Sequence, residues 1–159
     1  LSIKGKTVAD SKATLTVQMM PHHANPIGFV HGGVIMEQID DAAAVTARRH
    51  SGFLAVTACV DRLVFQEPVK VGELLILHAR LLRVGRTSMD IEVQVESEEP
   101  RTGQINQVAS AFVTFVAKDE NGASVAVPPL ILKTKEEEEL CRMAAERRRY
   151  YQQLNGKKK

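Results

Sequence analysis

The chain of 159 residues is 44% apolar and 4% aromatic, lacks Trp, and carries a formal net charge of +2. That supports one domain with a mainly aliphatic core; the charge argues against a dedicated nucleic-acid surface, and no apolar run is long enough to span a bilayer. Cys59 and Cys141 stand far apart and match no metal-ligand spacing, so they read as free thiols of a reducing compartment, and the opening residues show no signal-peptide pattern.

Over residues 13–20, Leu15, Val17 and Met19 alternate with Thr14, Thr16 and Gln18, the pattern of a half-buried strand. Residues 21–33 form a flexible Pro- and Gly-rich loop. Residues 34–49 are predicted as a helix of roughly four turns, closed by His50-Ser51-Gly52, with Arg48, Arg49 and His50 where the helix dipole favours cations. Strands are predicted over 54–65, 74–84, 87–96 and 104–118, with a tight hairpin at Gly85-Arg86 and a turn at Asp119-Glu120-Asn121-Gly122. Residues 133–159 read as a second, amphipathic helix with a basic tail, set apart from the domain over 1–132. Thr134 and Glu137 fit a capping box, Glu136 to Glu139 crowd its start, and Arg147, Arg148 and Arg149 suit its end. Lys157-Lys158-Lys159 reads as a solvated tail.

The helix over 34–49 is apolar nearly all round, which predicts burial. Yet it holds Glu37, Asp40 and Asp41, and carboxylates in such a helix need a reason to be there. Gly32 and Gly33 at its start let a ligand approach the free N–H groups of the first turn, where the dipole is positive. Donors at one end and a carboxylate two turns along form a candidate catalytic constellation. One such helix beside about five largely antiparallel strands calls for an α+β domain whose sheet curls around the helix. A curled open sheet keeps its edges, and edges invite a second chain, so at least a dimer is expected.

The block Asn25-Pro26-Ile27-Gly28-Phe29-Val30-His31-Gly32-Gly33, running on to Asp40 and Asp41, resembles the signature of hotdog-fold acyl-CoA thioesterases, the branch of acyl-CoA hydrolases and cytosolic acyl-CoA thioesterases. The resemblance continues through 56–61, 64–69, Arg86-Thr87-Ser88-Met89 and 109–115. It implies a curved antiparallel sheet wrapped around a central helix, with the C-terminal helix as an addition. It also implies hydrolysis of fatty acyl-CoA to fatty acid and CoA in the cytoplasm, with no cofactor, since CoA belongs to substrate and product. Some relatives divide the key Asn and Asp between two domains of one chain. Here one domain carries both, which implies a site built across a homodimer and a hexamer of three dimers, with no membrane or nucleic-acid partner.

By the same resemblance Asp40 is the catalytic carboxylate, as general base or nucleophile. Asn25 holds water or carbonyl, though by itself it reads as a turn residue before Pro26. Gly33 donates its N–H to the oxyanion, with Gly32 a second candidate. His31 beside glycines reads as structural, and Glu37 and Asp41 as supporting groups. Gly32, Thr57 (on a strand that approaches a partner's site), Arg62, Arg83, Arg86, Thr87 and Ser88 are candidates for contacts with CoA, the arginines and hydroxyls for its phosphates. His22, His23, His50 and His78 form no pairing that predicts a metal. Two other functions use the same scaffold: a non-catalytic acyl-CoA sensor, and an enoyl-CoA hydratase, which needs an acid–histidine pair.

Overall fold

The computed structural model describes residues 3–156, so the expected lysine tail and the end of the last helix lie outside the described residues. In chain order come β1 (Lys6–Thr7), α1 (Val8–Ser11), β2 (Ala13–Gln18), a 3-10 turn (Pro21–His23), α2 (Gly32–Ser51), β3 (Leu54–Phe65), β4 (Leu74–Val84), β5 (Ser88–Glu99), β6 (Gln104–Lys118), β7 (Leu130–Ile131) and α3 (Lys135–Gly156). Strands β2, β4, β5, β6 and β3 form, in that order, one antiparallel sheet.

Apolar side chains at alternate positions select the face that meets α2. Leu75, Leu77, Ala79 and Leu81 of β4, Met89, Ile91, Val93 and Val95 of β5, and Ala109, Ala111, Val113, Phe115 and Ala117 of β6 are all buried. They pack on α2, which touches all five strands through Ile35, Ile39, Ala42, Ala43 and Ala47. The alanines let the sheet close tightly on the helix. Burial of each larger aliphatic side chain contributes about 1.5–3 kcal/mol, so truncating Leu77 to Ala would cost about 2–5 kcal/mol.

The expected architecture is therefore present, with differences that have physical causes. Helix α2 starts two residues before the predicted position, because the His31 side chain caps it; it ends where Gly52 adopts φ 75, a left-handed stop. Its burial is one-sided. Met36, Glu37, Asp41, Arg48 and Arg49 are exposed, so a single chain leaves one face of the helix open. Strand β5 runs to Glu99, past its polar stretch, because the backbone ladder with β6 continues to Gln104 regardless of side-chain polarity. The parallel pair β1–β7 is two residues long, too short to leave a periodic pattern. The loop before α2 is cross-tied by hydrogen bonds rather than flexible: His31 N–H to the His23 carbonyl at 2.8 Å, Val30 N–H to the Val69 carbonyl at 2.9 Å.

In α3 the capping box forms, with Thr134 Oγ1 accepting the Glu137 N–H at 3.1 Å. Its arginines, however, lie mid-helix. Arg147 and Arg148 face the outer side of the sheet, so they serve packing rather than the end of the dipole. No helix among the described residues is long and apolar enough to cross a membrane. The two sheet edges are β2 and β3. The second is twelve residues long and exposes Leu54, Val56 and Val60, an apolar edge open to another strand.

Candidate active site

The N-terminus of α2 is organised by two side chains. Asn25 Oδ1 accepts the N–H groups of Ile27 and Phe29, both at 3.1 Å, while Gly28 turns the chain at φ 92. The amide oxygen is thus spent on the loop, and the amide NH2 is the end left to donate. The turn-residue reading and a functional one hold together. His31 Nδ1 accepts the Gly33 N–H at 2.8 Å and caps the helix. Accepting at Nδ1 leaves the proton of the neutral ring on Nε2.

This cap bears on the oxyanion donor. The Gly33 N–H is already occupied, whereas the Gly32 N–H, one residue earlier, has no partner among the described residues. A Cβ at residue 33 would come within 2.9 Å of the His31 Nδ1 that caps the helix, whereas one at residue 32 would meet only the tip of the Phe65 ring at an ordinary 3.4 Å. Of the two expected donors, Gly33 lines the cleft with its N–H on the His31 ring, and the Gly32 N–H is unpaired among the described residues.

Two turns along, Asp40 is partly buried, and the Thr57 hydroxyl donates to its Oδ1 at 2.5 Å. That bond orients the carboxylate and leaves Oδ2 free. Among the described residues no histidine bonds Asp40; the acid–histidine pair present is His78 with Glu96 at 3.2 Å, on β4 and β5. Between Gly33 and Asp40 runs a cleft of about 350 Å³ walled by Met36, Ile39, Val60, Leu63 and Val113. Glu37 stands at its rim. Burial, followed by the charges of Glu37 and Asp40, pushes the Asp41 carboxyl above the ordinary Asp value. A larger hollow of about 740 Å³ lies by Arg48, Phe53 and the 119–121 turn, but it is wide open and Asp119 Oδ1 there is taken by the Asn121 and Ala123 N–H groups.

One chain does not bring all the expected groups together. Gly32 and Asp40 are eight positions apart on one helix, about 12 Å along its axis. Reacting groups must converge to about 3–3.5 Å. Within one chain the helix start at Gly32 and the Asp40–Thr57 couple are therefore separate groups.

The CoA candidates are also dispersed. Arg83 donates to Asp90 Oδ2 at 3.1 Å, so its charge is engaged. Arg62 sits opposite Phe112 on the face away from α2. Arg86 and Thr87 lie in the β4–β5 turn, and Ser88 is buried at its end. Arg62 and Arg86 make no ion pair among the described residues. No group of three His, Cys, Asp or Glu among the described residues has metal-binding geometry. Sequence reasoning missed the capping role of His31, although a residue just before a Gly-Gly helix start is the place to look for a cap. It also missed Val60 and Leu63 as cleft walls, because two bulges in β3 break the alternation there.

The model of the thioesterase superfamily matches residues 27–104. An uncharacterized acyl-CoA thioester hydrolase of Bacillus subtilis is 36% identical over 131 residues, covering 82% of this chain and 76% of that protein. The human cytosolic acyl coenzyme A thioester hydrolase is 33% identical, covering 86% of this chain but only 37% of the longer human one. Among solved structures, an apo-hexameric acyl-CoA thioesterase superposes with a TM-score of 0.91 at 33% identity, over 96% of this chain and 98% of that one. The acyl-CoA hydrolase of Staphylococcus aureus, in complex with butyryl coenzyme A and coenzyme A, gives 0.85 at 30% identity over 96% and 94% of the two chains. That enzyme is also known as three alanine variants, of an asparagine, an aspartate and a threonine. The first two positions are 15 apart and the last two 17 apart, the separations of Asn25, Asp40 and Thr57.

Proposed function

The chain belongs to the thioesterase superfamily, and from that premise we propose that it hydrolyses acyl-CoA to a free carboxylic acid and CoA. The observation that carries the proposal is the Asp40–Thr57 couple at the mouth of an apolar cleft. The spacing shared with the Staphylococcus aureus variants supports the same residues.

A thioester carbonyl is already activated, so the protein has to supply a base, a positioned water and oxyanion donors. The carbonyl oxygen accepts from the Gly32 N–H, aided by the positive end of the α2 dipole, and from the Asn25 amide. One such donor typically lowers the barrier by about 3 kcal/mol. Asp40, oriented by Thr57, works by one of two routes. As a base it takes a proton from water while the water oxygen attacks the acyl carbon. As a nucleophile it forms an acyl anhydride that water then opens. By either route the C–S bond breaks, the hydroxyl ends on the acyl carbon and the sulfur leaves with a proton. The acyl chain lies along Met36, Ile39, Val60, Leu63 and Val113, and Arg62, Arg86 and Thr87 remain available to the phosphates of CoA.

The 12 Å gap between donors and carboxylate is closed by a second copy. A two-fold pair joined at the exposed β3 edge sets the Asn25–Gly32 end of one helix against the Asp40–Thr57 region of the other, giving two identical sites. Three such dimers form the hexamer, the assembly named for the apo-hexameric neighbour. No metal or cofactor takes part in this scheme, and the site of action is the cytoplasm, as for the cytosolic human relative.

The test is thiol release over a panel of acyl-CoA lengths. Asp40→Asn should lower kcat by about 10²–10⁴-fold with an unchanged unfolding midpoint, and Asn25→Ala by about 10²–10³-fold with a lowered midpoint, since its two loop hydrogen bonds go with it. Full activity in both would overturn the site.

A further inference from the structure

Strand β3 presents Thr57, Val60 and Leu63 to the α2 side, a spacing of three. A regular strand alternates, so the residues sharing a face with Thr57 would be Cys59, Asp61 and Leu63. The ladder shows how the difference arises. Thr57 stands opposite Phe115, Cys59 opposite Thr114, Val60 opposite Val113 and Arg62 opposite Phe112. Ala58 and Asp61 are therefore extra residues, two bulges within five positions. The first turns Cys59 outward and Val60 inward; the second restores the count so that Leu63 also faces the cleft. Without them the cleft wall would carry a thiol and a carboxylate beside Thr57.

A bulge is weakly held within its own sheet, since the extra residue has no partner in the β3–β6 ladder. At Asp61 the partner comes from elsewhere. The Tyr151 hydroxyl, on α3, donates to the Asp61 carbonyl at 3.0 Å. The helix is anchored at the same level of the sheet. Arg148 donates to Asp90 Oδ1 at 3.1 Å, a carboxylate that also accepts from Arg83 and Thr114. The Arg147 guanidinium lies 3.5 Å from the centre of the Phe112 ring, and Phe112 is the residue opposite Arg62.

From this geometry we infer that Tyr151 is a positioning residue for hydrolysis: its hydroxyl pins the Asp61 bulge and so keeps Thr57 against Asp40. The helix α3 is then part of the catalytic apparatus at a distance, bonded to the outer side of the strand whose inner side serves the carboxylate. The inference rests on the Asp40–Thr57 reading above.

A double-mutant cycle separates the two. Tyr151→Phe removes only the hydroxyl. It should lower kcat for thiol release about two- to tenfold, the range one neutral hydrogen bond commands, with KM essentially unchanged and only a small fall in the unfolding midpoint. Thr57→Val should lower kcat by itself, and adding Tyr151→Phe to it should cost nothing more. Wild-type kcat in Tyr151→Phe, or the same fold-loss in both backgrounds, would overturn the inference while leaving the couple intact. Wild-type kcat in Thr57→Val would instead overturn the couple itself, and the inference with it.

Discussion

Mixing two inactive variants should restore activity. Asn25→Ala removes the amide donor of one half-site, and Asp40→Asn removes the carboxylate of the other. Along one helix the Gly32 N–H and Asp40 are separated by about 12 Å, several times the approach distance of about 3–3.5 Å that reaction demands. Each working site must then take its donors from one copy and its carboxylate from the two-fold mate. In an equal mixture that pairs at random, half of the dimers are mixed. Each mixed dimer holds one site with both lesions and one with neither, so about a quarter of wild-type turnover per chain should return. Each parent alone should stay about 10²–10⁴-fold down. The assay is thiol release after the two variants are unfolded together and refolded, against the same variants refolded apart. A mixture that stays at the mean of its parents would place donors and carboxylate of one chain in one site and refute the argument.

Three further outcomes follow from named contacts. His31→Ala should cost about 1 kcal/mol of stability through the lost helix cap, while His31→Asn, a good capping residue, should keep both stability and kcat; a hundredfold fall in kcat for the Asn variant would instead make His31 the base. Val56→Lys puts a charge on the apolar β3 edge and should yield monomers by light scattering with turnover lost; an active dimer would contradict the edge as the interface. His50 is fully buried, its Nε2 lies 2.8 Å from the Pro128 carbonyl and its Nδ1 has no partner among the described residues, so burial holds its pKa below the ordinary value. The native imidazole is then neutral while the unfolded chain takes up a proton at about pH 6.5. Its contribution is therefore present above that pH and is lost as pH falls through it toward the lowered native value. Denaturant midpoints at pH 8 and pH 5 should fall further for the wild type than for His50→Gln, and equal falls would reject the assignment.

Much of this protein is written locally. The strand-forming runs over 74–84, 87–96 and 104–118 and the apolar helix over 34–49 suffice for a sheet closed on a helix, because burial acts between near neighbours along each element. The Thr134–Glu137 cap is local too, since its bonds span three residues. Asp40 and Asn25 were legible as chemistry out of place, a carboxylate in an apolar helix and an amide in a tight turn, and the family resemblance drew them together.

What the chain order could not show is which groups meet. Thr57 reaches Asp40 across 17 positions, and Val60 joins the cleft only because bulges shift the register, a choice made between strands rather than within one. The filled Gly33 N–H and the free Gly32 N–H depend on where one imidazole ring settles. The distance from Gly32 to Asp40 follows from helical rise. Local pattern decides the elements because its forces act between near neighbours; the site was decided by tertiary structure, because convergence to a few ångströms is a property of packed elements and of no single stretch of sequence.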